Sequence, residues 1–154
     1  MKIGVVSDTH GLLRPEVPPL LAGVERILHL GDVGDAKILK ALEKIAPVTA
    51  VRGNVDRDGV CARLPETEVL LIEGGYIYLL HDLGTLHLDP AVAKFAAVLY
   101  GHSHKATIRR HKGVLYFNPG SCGPRRFNLK VTVGYLHIAS DGSLDPEIVE
   151  VTCD

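Results

Sequence analysis

The chain has 154 residues and a formal charge of −1, and it contains three phenylalanines and no tryptophan. This length suits a single domain over residues 1–154, while the near-neutral charge and the few aromatic side chains argue against an obligatory nucleic-acid partner. Three widely spaced cysteines without a CxxC pair argue against both a disulfide framework and a thiolate zinc site.

The beginning of the chain, MKIGVVSDTH, has an apolar run that is too short for the core of a signal peptide. No stretch approaches the roughly 20 apolar residues that a membrane span requires. We therefore expect a cytoplasmic protein that does not bind a membrane.

Five short runs of β-branched and apolar residues predict buried strands, at residues 2–8, 25–32, 47–54, 76–82 and 96–104. Between the second and third runs, residues 35–46 have apolar side chains at helical spacing, with Asp35 as the N-cap and Pro47 beyond the end. Residues 12–22 and 89–95 are expected to form shorter helices. The alternation of strands and helices in the first third predicts parallel strands joined by right-handed crossovers.

Hairpin signals dominate the second half of the chain. Gly74-Gly75, Lys112-Gly113 and Asp141-Gly142 each lie between two apolar runs, and such pairs are typical of tight β-turns. We therefore expect an α/β protein that is α+β in its hairpin-rich second half. Its strands would form one mixed sheet, or two sheets packed face to face, flanked by helices.

Residues of metal-ligand types stand at the ends of all five predicted strands. In chain order they are Asp8, His10, Asp32, Asn54, His81, His102 and His104. Ligands of open α/β folds bind beyond the carboxyl ends of the strands. Residues two apart in an extended segment point to the same face, as the first two and the last two of this set would. Because an aspartate can bridge two ions through its two oxygens, the pattern predicts a two-metal hydrolytic site.

Each of these residues alone also has a structural explanation. Asp8 fits a cap at a strand end and Asn54 fits a Gly-Asn turn. The ordered occurrence of the whole set at successive strand ends is what favours metal binding. The other histidines lack this context, and we interpret them as structural or surface residues: His29, His87, His111 and His137.

The blocks SDTH, LGD, RGNVD, LLHD, GHSH and FNPGSCGPRR resemble the signature blocks of the calcineurin-like metallophosphoesterase superfamily, in its small prokaryotic phosphodiesterase branch of the YfcE type. The resemblance implies a four-layer αββα sandwich of two mixed β-sheets flanked by helices. It also implies ligand roles: Asp8, His10 and His104 for one metal, Asn54, His81 and His102 for the other. Asp32 would bridge the two ions.

The resemblance further implies two divalent transition-metal ions as cofactors. The ions that the resemblance implies are Mn²⁺, Ni²⁺, Zn²⁺ or Fe, whereas a site for Mg²⁺ or Ca²⁺ would have fewer imidazoles. Mn²⁺ is the ion we expect in assays. Two ions roughly 3.5 to 4 Å apart lower the pKa of a shared water and clamp the phosphoryl oxygens. The hypothesis is therefore direct attack on phosphorus by a metal-bridging hydroxide, with Asp32, Asn54 and His102 as catalytic residues.

One position departs from the family pattern. Many larger relatives have a histidine immediately after the asparagine ligand, whereas this chain has Val55, which cannot donate a proton. We therefore expect a preference for acidic leaving groups, such as those of aryl phosphodiesters. Asp56 is the nearest candidate proton donor, although a turn-capping role fits it better. Asp82 stands where the family often has glycine, and it either orients a ligand or begins a turn.

The expected substrate is a small phosphodiester or a nucleotide-like molecule. Arg57, Arg125 and Arg126 are the candidate cations for its phosphate, because guanidinium groups suit bidentate contacts. A homo-oligomer, either a dimer or a tetramer, is expected from the resemblance. Three other functions stay open: a metal-binding scaffold for protein interaction with weak or no activity, a nuclease, and a phosphomonoesterase using the same site.

Overall fold

The computed structural model describes residues 1–73 and 75–153, which form two five-stranded sheets. The first sheet contains β1 (Lys2–Val6), β2 (Arg26–His29), β3 (Val48–Ala50), β9 (Thr132–Ile138) and β10 (Leu144–Glu150), in the spatial order β10-β9-β1-β2-β3. The second contains β4 (Thr67–Ile72), β5 (Gly75–Leu80), β6 (Phe95–Leu99), β7 (Thr107–His111) and β8 (Val114–Asn118), in the order β4-β5-β6-β8-β7.

Both sheets are mixed, as predicted. In the first, β1, β2 and β3 are parallel neighbours, and β9 and β10 add antiparallel strands beside β1. In the second, β5, β6 and β8 are parallel, and β4 and β7 are antiparallel edge strands. Parallel neighbours end at the same edge of a sheet, so the loops that follow them lie side by side.

The main core lies between the two sheets. Alternate residues of each strand point into it, as the period of two requires: Ile3, Val5, Leu28, Leu30, Ile77, Leu79, Leu99, Leu115, Phe117 and Leu136 are all fully buried there. The opposite face of β1 carries Val6, which packs with Leu21 and Leu42 of the helical layer. Each such side chain stabilises the fold by roughly 1.5 to 3 kcal/mol.

The principal helix, α2 (Ala36–Glu43), begins as predicted. The Asp35 carboxylate accepts a hydrogen bond from the backbone N–H of Lys37 at 2.9 Å and caps the first turn. The helix ends three residues earlier than expected, because the chain tightens into a turn in which Ile45 N–H donates to Leu42 C=O before Pro47. Its buried face consists of Ile38, Leu39 and Leu42.

The other two predicted helices are wrong in extent or in kind. Only α1 (Val17–Leu20) forms within residues 12–22. Proline is tolerated only in the first turn of a helix, so Pro18 and Pro19 require the helix to begin there, and Gly23, with φ of 84°, lies beyond its end. Residues 89–94 form turns rather than a helix. Two short 3-10 helices, Cys61–Arg63 and Leu83–Thr85, were not predicted.

The hairpins agree with the sequence where the structure describes them. Lys112 and Gly113 join β7 to β8 with φ of 50° and 78°, the left-handed backbone that a two-residue hairpin loop requires. Asp141 and Gly142 turn the chain between β9 and β10. Gly74 of the expected Gly-Gly turn lies outside the described residues. No helix within residues 1–73 and 75–153 is long and apolar enough to cross a membrane.

Candidate metal centre

The loops that follow β1, β2, β3, β5 and β6 meet at one edge of the two sheets. Backbone hydrogen bonds join them across the gap between strands: Asp8 N–H donates to Gly31 C=O at 3.0 Å, and Gly101 N–H donates to His81 C=O at 2.9 Å. All seven predicted site residues therefore lie on adjoining loops, two or more of them from each sheet.

These residues lie beyond the strands, and most have an unusual backbone. Five of the seven have a left-handed φ between 46° and 71°: Asp8, His10, Asp32, His102 and His104. The expectation that residues two apart point together because the segment is extended is therefore wrong. Each left-handed non-glycine residue costs roughly 1 to 2 kcal/mol, and such strain concentrates at functional sites.

Two glycines allow the loops to approach each other closely. A Cβ added to Gly101 would lie 2.0 Å from the Ser7 hydroxyl oxygen and 2.8 Å from Asp8 Oδ2. A Cβ added to Gly53 would lie 2.2 Å from both the backbone nitrogen and Oδ1 of Asp32. Any side chain at these two positions would push the aspartates out of place, which explains glycine there.

The Asp8 carboxylate is buried, and only one of its two oxygens accepts hydrogen bonds from the described residues. Oδ2 accepts hydrogen bonds from the Ser7 hydroxyl at 2.6 Å and from His102 N–H at 3.1 Å. Oδ1 has no hydrogen-bond partner among the described residues. It faces the Nε2 atoms of three imidazoles, at 3.4 Å for His104, 3.7 Å for His10 and 3.8 Å for His81.

The two oxygens of Asp32 also differ in their contacts: one accepts a hydrogen bond and the other faces the centre. Oδ1 accepts the backbone N–H of Val55 at 3.0 Å. Oδ2 lies 3.5 Å from His10 Nε2 and 3.2 Å from His81 Nε2, and so stands between the imidazoles of the two sheets. Oδ2 is therefore the Asp32 oxygen that faces the centre, and the bridging role of Asp32 stays a prediction.

Three histidines point their Nε2 atoms at these oxygens. His81 Nδ1 lies 2.7 Å from the carbonyl oxygen of Leu30 and donates its hydrogen there, which leaves Nε2 as the acceptor that faces Asp8 and Asp32. This Nε2 atom is buried and has no hydrogen-bond partner among the described residues. The Nε2 atoms of His10 and His104 approach to 3.2 Å.

Two groups of side chains are close enough to hold a metal ion. Asp8, His10 and His104 form one group, and Asp8, Asp32 and His81 form the other. Asp8 is common to both. Buried polar atoms without a partner are rare because they cost free energy, and a cation would satisfy both Asp8 Oδ1 and His81 Nε2. Carboxylate oxygens with imidazole nitrogens are a donor set that fits a divalent transition-metal ion.

Asn54 and His102 lie at the open side of the centre. The His102 side chain is 45% exposed, its ring stands edge-on to His81 at 5.2 Å between centroids, and its Nε2 is 3.9 Å from Asp82 Oδ2. Asn54 is exposed and lines a groove of about 260 Å³ together with Arg52, Glu66, His81, Asp82 and Thr85. The ligand roles of Asn54 and His102 stay predictions.

The charges of the centre shift the pKa of its buried groups. Burial alone would raise the pKa of Asp8, but contacts with His10, His104 and Ser7 outweigh it and lower that pKa. The pKa of Asp32 is lowered despite its burial, because His81 and the Val55 N–H stabilise the carboxylate. The pKa of His81 is raised, since Asp32 and Asp8 outweigh the effect of burial.

Asp56 is a residue whose role the sequence showed only in part. Beyond capping its own turn, the buried carboxylate accepts three backbone hydrogen bonds, from Val33 N–H at 3.2 Å, Gly34 N–H at 3.0 Å and Gly53 N–H at 2.8 Å. It therefore ties the loop after Asp32 to the loop that carries Asn54. Nothing in the sequence marks a contact over more than twenty residues.

His29 is fully buried beneath the centre. Its Nδ1 accepts Gly31 N–H at 3.2 Å, so its Nε2 carries the hydrogen and donates to the Thr9 hydroxyl at 3.0 Å. Thr9 in turn donates to Val33 C=O at 2.8 Å. Burial lowers the pKa of His29 to about 4, which keeps the ring neutral at physiological pH.

The three predicted phosphate-binding arginines occupy different places. Arg57 is exposed, and its Nε donates to the backbone oxygen of Asn54 at 3.1 Å. Arg125 and Arg126 are exposed on the loop that follows Cys122. Within the described part of the chain, neither of these two guanidinium groups pairs with a carboxylate.

Several known proteins are similar to nearly the whole of this chain. A probable metallophosphoesterase of Methanothermobacter thermautotrophicus is 34% identical over 164 aligned residues, covering 97% of this chain and 92% of that protein. Phosphodiesterase YfcE of Escherichia coli is 30% identical, covering 98% of this chain and 91% of its own. The solved YfcE structure, described as a phosphoesterase, has a TM-score of 0.70 at 25% identity, covering 99% of this chain and 100% of that chain.

Wild-type Vps29 of Entamoeba histolytica, solved in complex with Zn²⁺, is also similar, with a TM-score of 0.75 at 25% identity over 99% of this chain and 100% of that chain. The family model described as the calcineurin-like phosphoesterase superfamily domain matches residues 1–141. That range contains every residue of the two candidate metal groups. The chain therefore belongs to the calcineurin-like phosphoesterase superfamily.

Proposed function

We propose that this protein is a metal-dependent phosphodiesterase that uses two divalent transition-metal ions, with Mn²⁺ as the activating ion and Ni²⁺, Zn²⁺ or Fe as alternatives. One observation carries the proposal: Asp8 Oδ1 and His81 Nε2, both buried and without partners among the described residues, face each other at 3.8 Å. Phosphodiesterase-named relatives at 30% identity support the class of reaction.

The residues of the centre have separate tasks in this mechanism. When bound, two divalent ions would supply Lewis acidity, which activates water as the nucleophile and neutralises charge on the phosphoryl group. Asp8 and Asp32 each keep one oxygen fixed by N–H or O–H donors and turn the other toward the centre. The hydrogen bond from His81 to Leu30 C=O fixes the tautomer that presents Nε2. Preset ligands reduce the reorganisation that the reaction requires.

The exposed side of the centre would receive the substrate. Asn54 and His102 complete the second metal position in our proposal, and both border open solvent. Val55, the neighbour of Asn54, is 46% exposed and offers no proton to a departing oxygen. We therefore propose small phosphodiesters with acidic leaving groups as the preferred substrates.

Replacing Asp32 tests this function directly. Asp32→Asn keeps the shape of the side chain and removes its negative charge, so metal content should fall and hydrolysis of bis(p-nitrophenyl) phosphate should drop by roughly a hundredfold or more. The measurements are metal analysis and initial rates after reconstitution with each of Mn²⁺, Ni²⁺, Zn²⁺ and Fe²⁺.

Asp35→Asn is the matched control, since Asp35 caps α2 at the surface and asparagine caps equally well. It should retain metal and activity. A wild-type protein that takes up no metal, or an Asp32→Asn variant with full activity, would defeat the proposal and favour the scaffold function.

A further inference from the structure

The loop of residues 123–128, here called the rim loop, is anchored beneath the metal centre. Ser121 Oγ donates to Asp8 C=O at 2.9 Å, and Arg14 Nε donates to Gly123 C=O at 2.8 Å. A Cβ on Gly123 would lie 2.4 Å from the Thr9 carbonyl oxygen, so only glycine lets the loop start this close to Asp8. The start of the rim loop is therefore fixed against the segment that carries a candidate ligand.

The other end of the rim loop returns beside His104. Asn128 and Leu129 line a cavity of about 270 Å³ with His104 and Lys105, and Leu129 N–H closes a turn onto Arg126 C=O at 3.1 Å. One end thus lies against Asp8 and the other beside His104, two members of the first candidate metal group. Between these two ends the loop carries the exposed residues Arg125, Arg126 and Phe127.

Phe127 is exposed to an unusual degree. Its 87% exposure is the largest among the exposed large apolar side chains of the described residues. Its φ is 53°, a left-handed conformation that is unfavourable for an aromatic residue. Because neither burial nor backbone preference accounts for this phenylalanine, a ligand that covers the ring would explain it.

The charge around Phe127 points to an anion with an aromatic part. Arg125 and Arg126 precede it with no carboxylate partner among the described residues, and Lys105 lies at the same rim. The groove beside His81 instead carries the carboxylates of Glu66 and Asp82, of which Glu66 is paired with Arg52. Arginines bind phosphoryl oxygens and exposed aromatic rings stack on aryl groups and bases.

We propose that Phe127 is a specificity-determining residue that stacks on an aromatic ring, either an aryl group or a nucleobase, attached to the phosphoryl group of the substrate. Arg125 and Arg126 attract the phosphate from the same loop. The inference rests on the proposed phosphodiesterase function and names its substrate class, phosphoesters that bear an aromatic ring next to the phosphate.

Binding to the Mn²⁺-loaded protein tests this without turnover. Phenylphosphonate and thymidine 5′-phosphate carry the ring, and methylphosphonate lacks it. Phe127→Leu should weaken calorimetric binding of the two ring-bearing ligands by roughly five- to fiftyfold and leave methylphosphonate unchanged. If the substitution weakens the binding of only one ring-bearing ligand, the substrates are phosphoesters with that kind of ring, either aryl or nucleobase.

Fluorescence gives a second readout, because the chain contains no tryptophan. Phe127→Trp should bind the ring-bearing ligands more tightly than Phe127→Leu does. The emission of its tryptophan should be quenched by the ring-bearing ligands only. Tyr76→Trp is the matched control, since Tyr76 is an exposed aromatic residue at the start of β5, and its emission should not respond.

Three results overturn the inference. The first is that Phe127→Leu binds both ring-bearing ligands as tightly as the wild type does. The second is an equal loss of affinity for all three ligands, which would make Phe127 a structural residue. The third is a change of oligomeric state in size-exclusion chromatography, which would make it a subunit contact. Failure of the phosphodiesterase function would appear separately, as ligand binding without hydrolysis of any phosphodiester.

Discussion

In the proposed mechanism, the side chain at position 55 limits the leaving groups that the site can release. Val55 N–H holds Asp32 Oδ1 at 3.0 Å through the backbone, so a substitution of the side chain leaves that hydrogen bond in place. The side chain itself is 46% exposed beside Asn54. A proton donor would fit here without repacking the core.

Val55→His should therefore raise turnover of phosphodiesters with poor, alkyl leaving groups by roughly tenfold or more, since general acid catalysis commonly contributes at least that much. Aryl esters, whose leaving groups depart unprotonated, should change little. The measurement is the dependence of log kcat on leaving-group pKa, which should become shallower.

Val55→Gln is the control for polarity and size, because it supplies no titratable proton at neutral pH. It should keep the steep dependence of the wild type. Equal slopes for Val55→His and the wild type would contradict the assignment of position 55 to the leaving group.

At the scale of the elements, the loops after β2 and β3 act as one unit through Asp56. The carboxylate accepts N–H groups from Val33, Gly34 and Gly53, and an asparagine amide cannot accept from all three because one of its two ends is a donor. Asp56→Asn should lower the free energy of unfolding by roughly 1 to 3 kcal/mol, the cost of leaving a buried donor unsatisfied.

The same substitution should weaken metal binding, because Val33 follows Asp32 and Gly53 precedes Asn54. Urea unfolding of the metal-free protein and calorimetric titration with Mn²⁺ measure the two effects. Asp58→Asn, at an exposed position two residues away, should change neither. Loss of stability with unaltered metal affinity would show that the loops hold their ligands independently.

At the scale of the whole molecule, the buried His29 makes stability depend on pH. The pKa of its ring is about 6.5 in the unfolded chain and about 4 when folded. Burial is the main cause of the decrease; the carboxylates of Asp8, Asp56 and Asp32 oppose it, and His81 adds to it. Between pH 6.5 and pH 4 the His29 ring is mostly protonated in the unfolded chain and mostly neutral in the folded chain. The free energy of unfolding therefore falls as the pH is lowered toward 4.

The metal-free protein should thus lose roughly 1.2 kcal/mol at pH 5.5 relative to pH 7 through this group alone. The lowered pKa values of Asp8 and Asp32 act near and below pH 4, whereas the raised pKa of His81 opposes the loss, so the comparison of wild type with His29→Gln isolates the contribution of His29. Urea unfolding at pH 7 and pH 5.5 should show that His29→Gln removes this part of the pH dependence. His87→Gln, at an exposed position, should keep the full pH dependence. If both variants and the wild type lose the same free energy of unfolding between pH 7 and pH 5.5, His29 is not the cause.

Local sequence patterns determined the mixed sheets, the start of α2 and the hairpin turns, because strand periodicity, the Asp35 cap and Lys-Gly or Asp-Gly pairs act over a few residues. They also identified the side chains that gather at the strand ends. The helices expected at residues 12–22 and 89–95 could not be inferred as well: the first is reduced to α1, which ends before the left-handed Gly23, and turns take the place of the second.

Other features depend on parts of the chain that are distant in sequence. The left-handed backbone at Asp8 and His104, the three hydrogen bonds to Asp56 and the free oxygen of Asp8 all arise where loops from two sheets meet. The sequence by itself determined which donor atoms this protein brings to its strand ends. Only the tertiary structure decided which of them face one another, because packing of the two sheets sets the distances between loops.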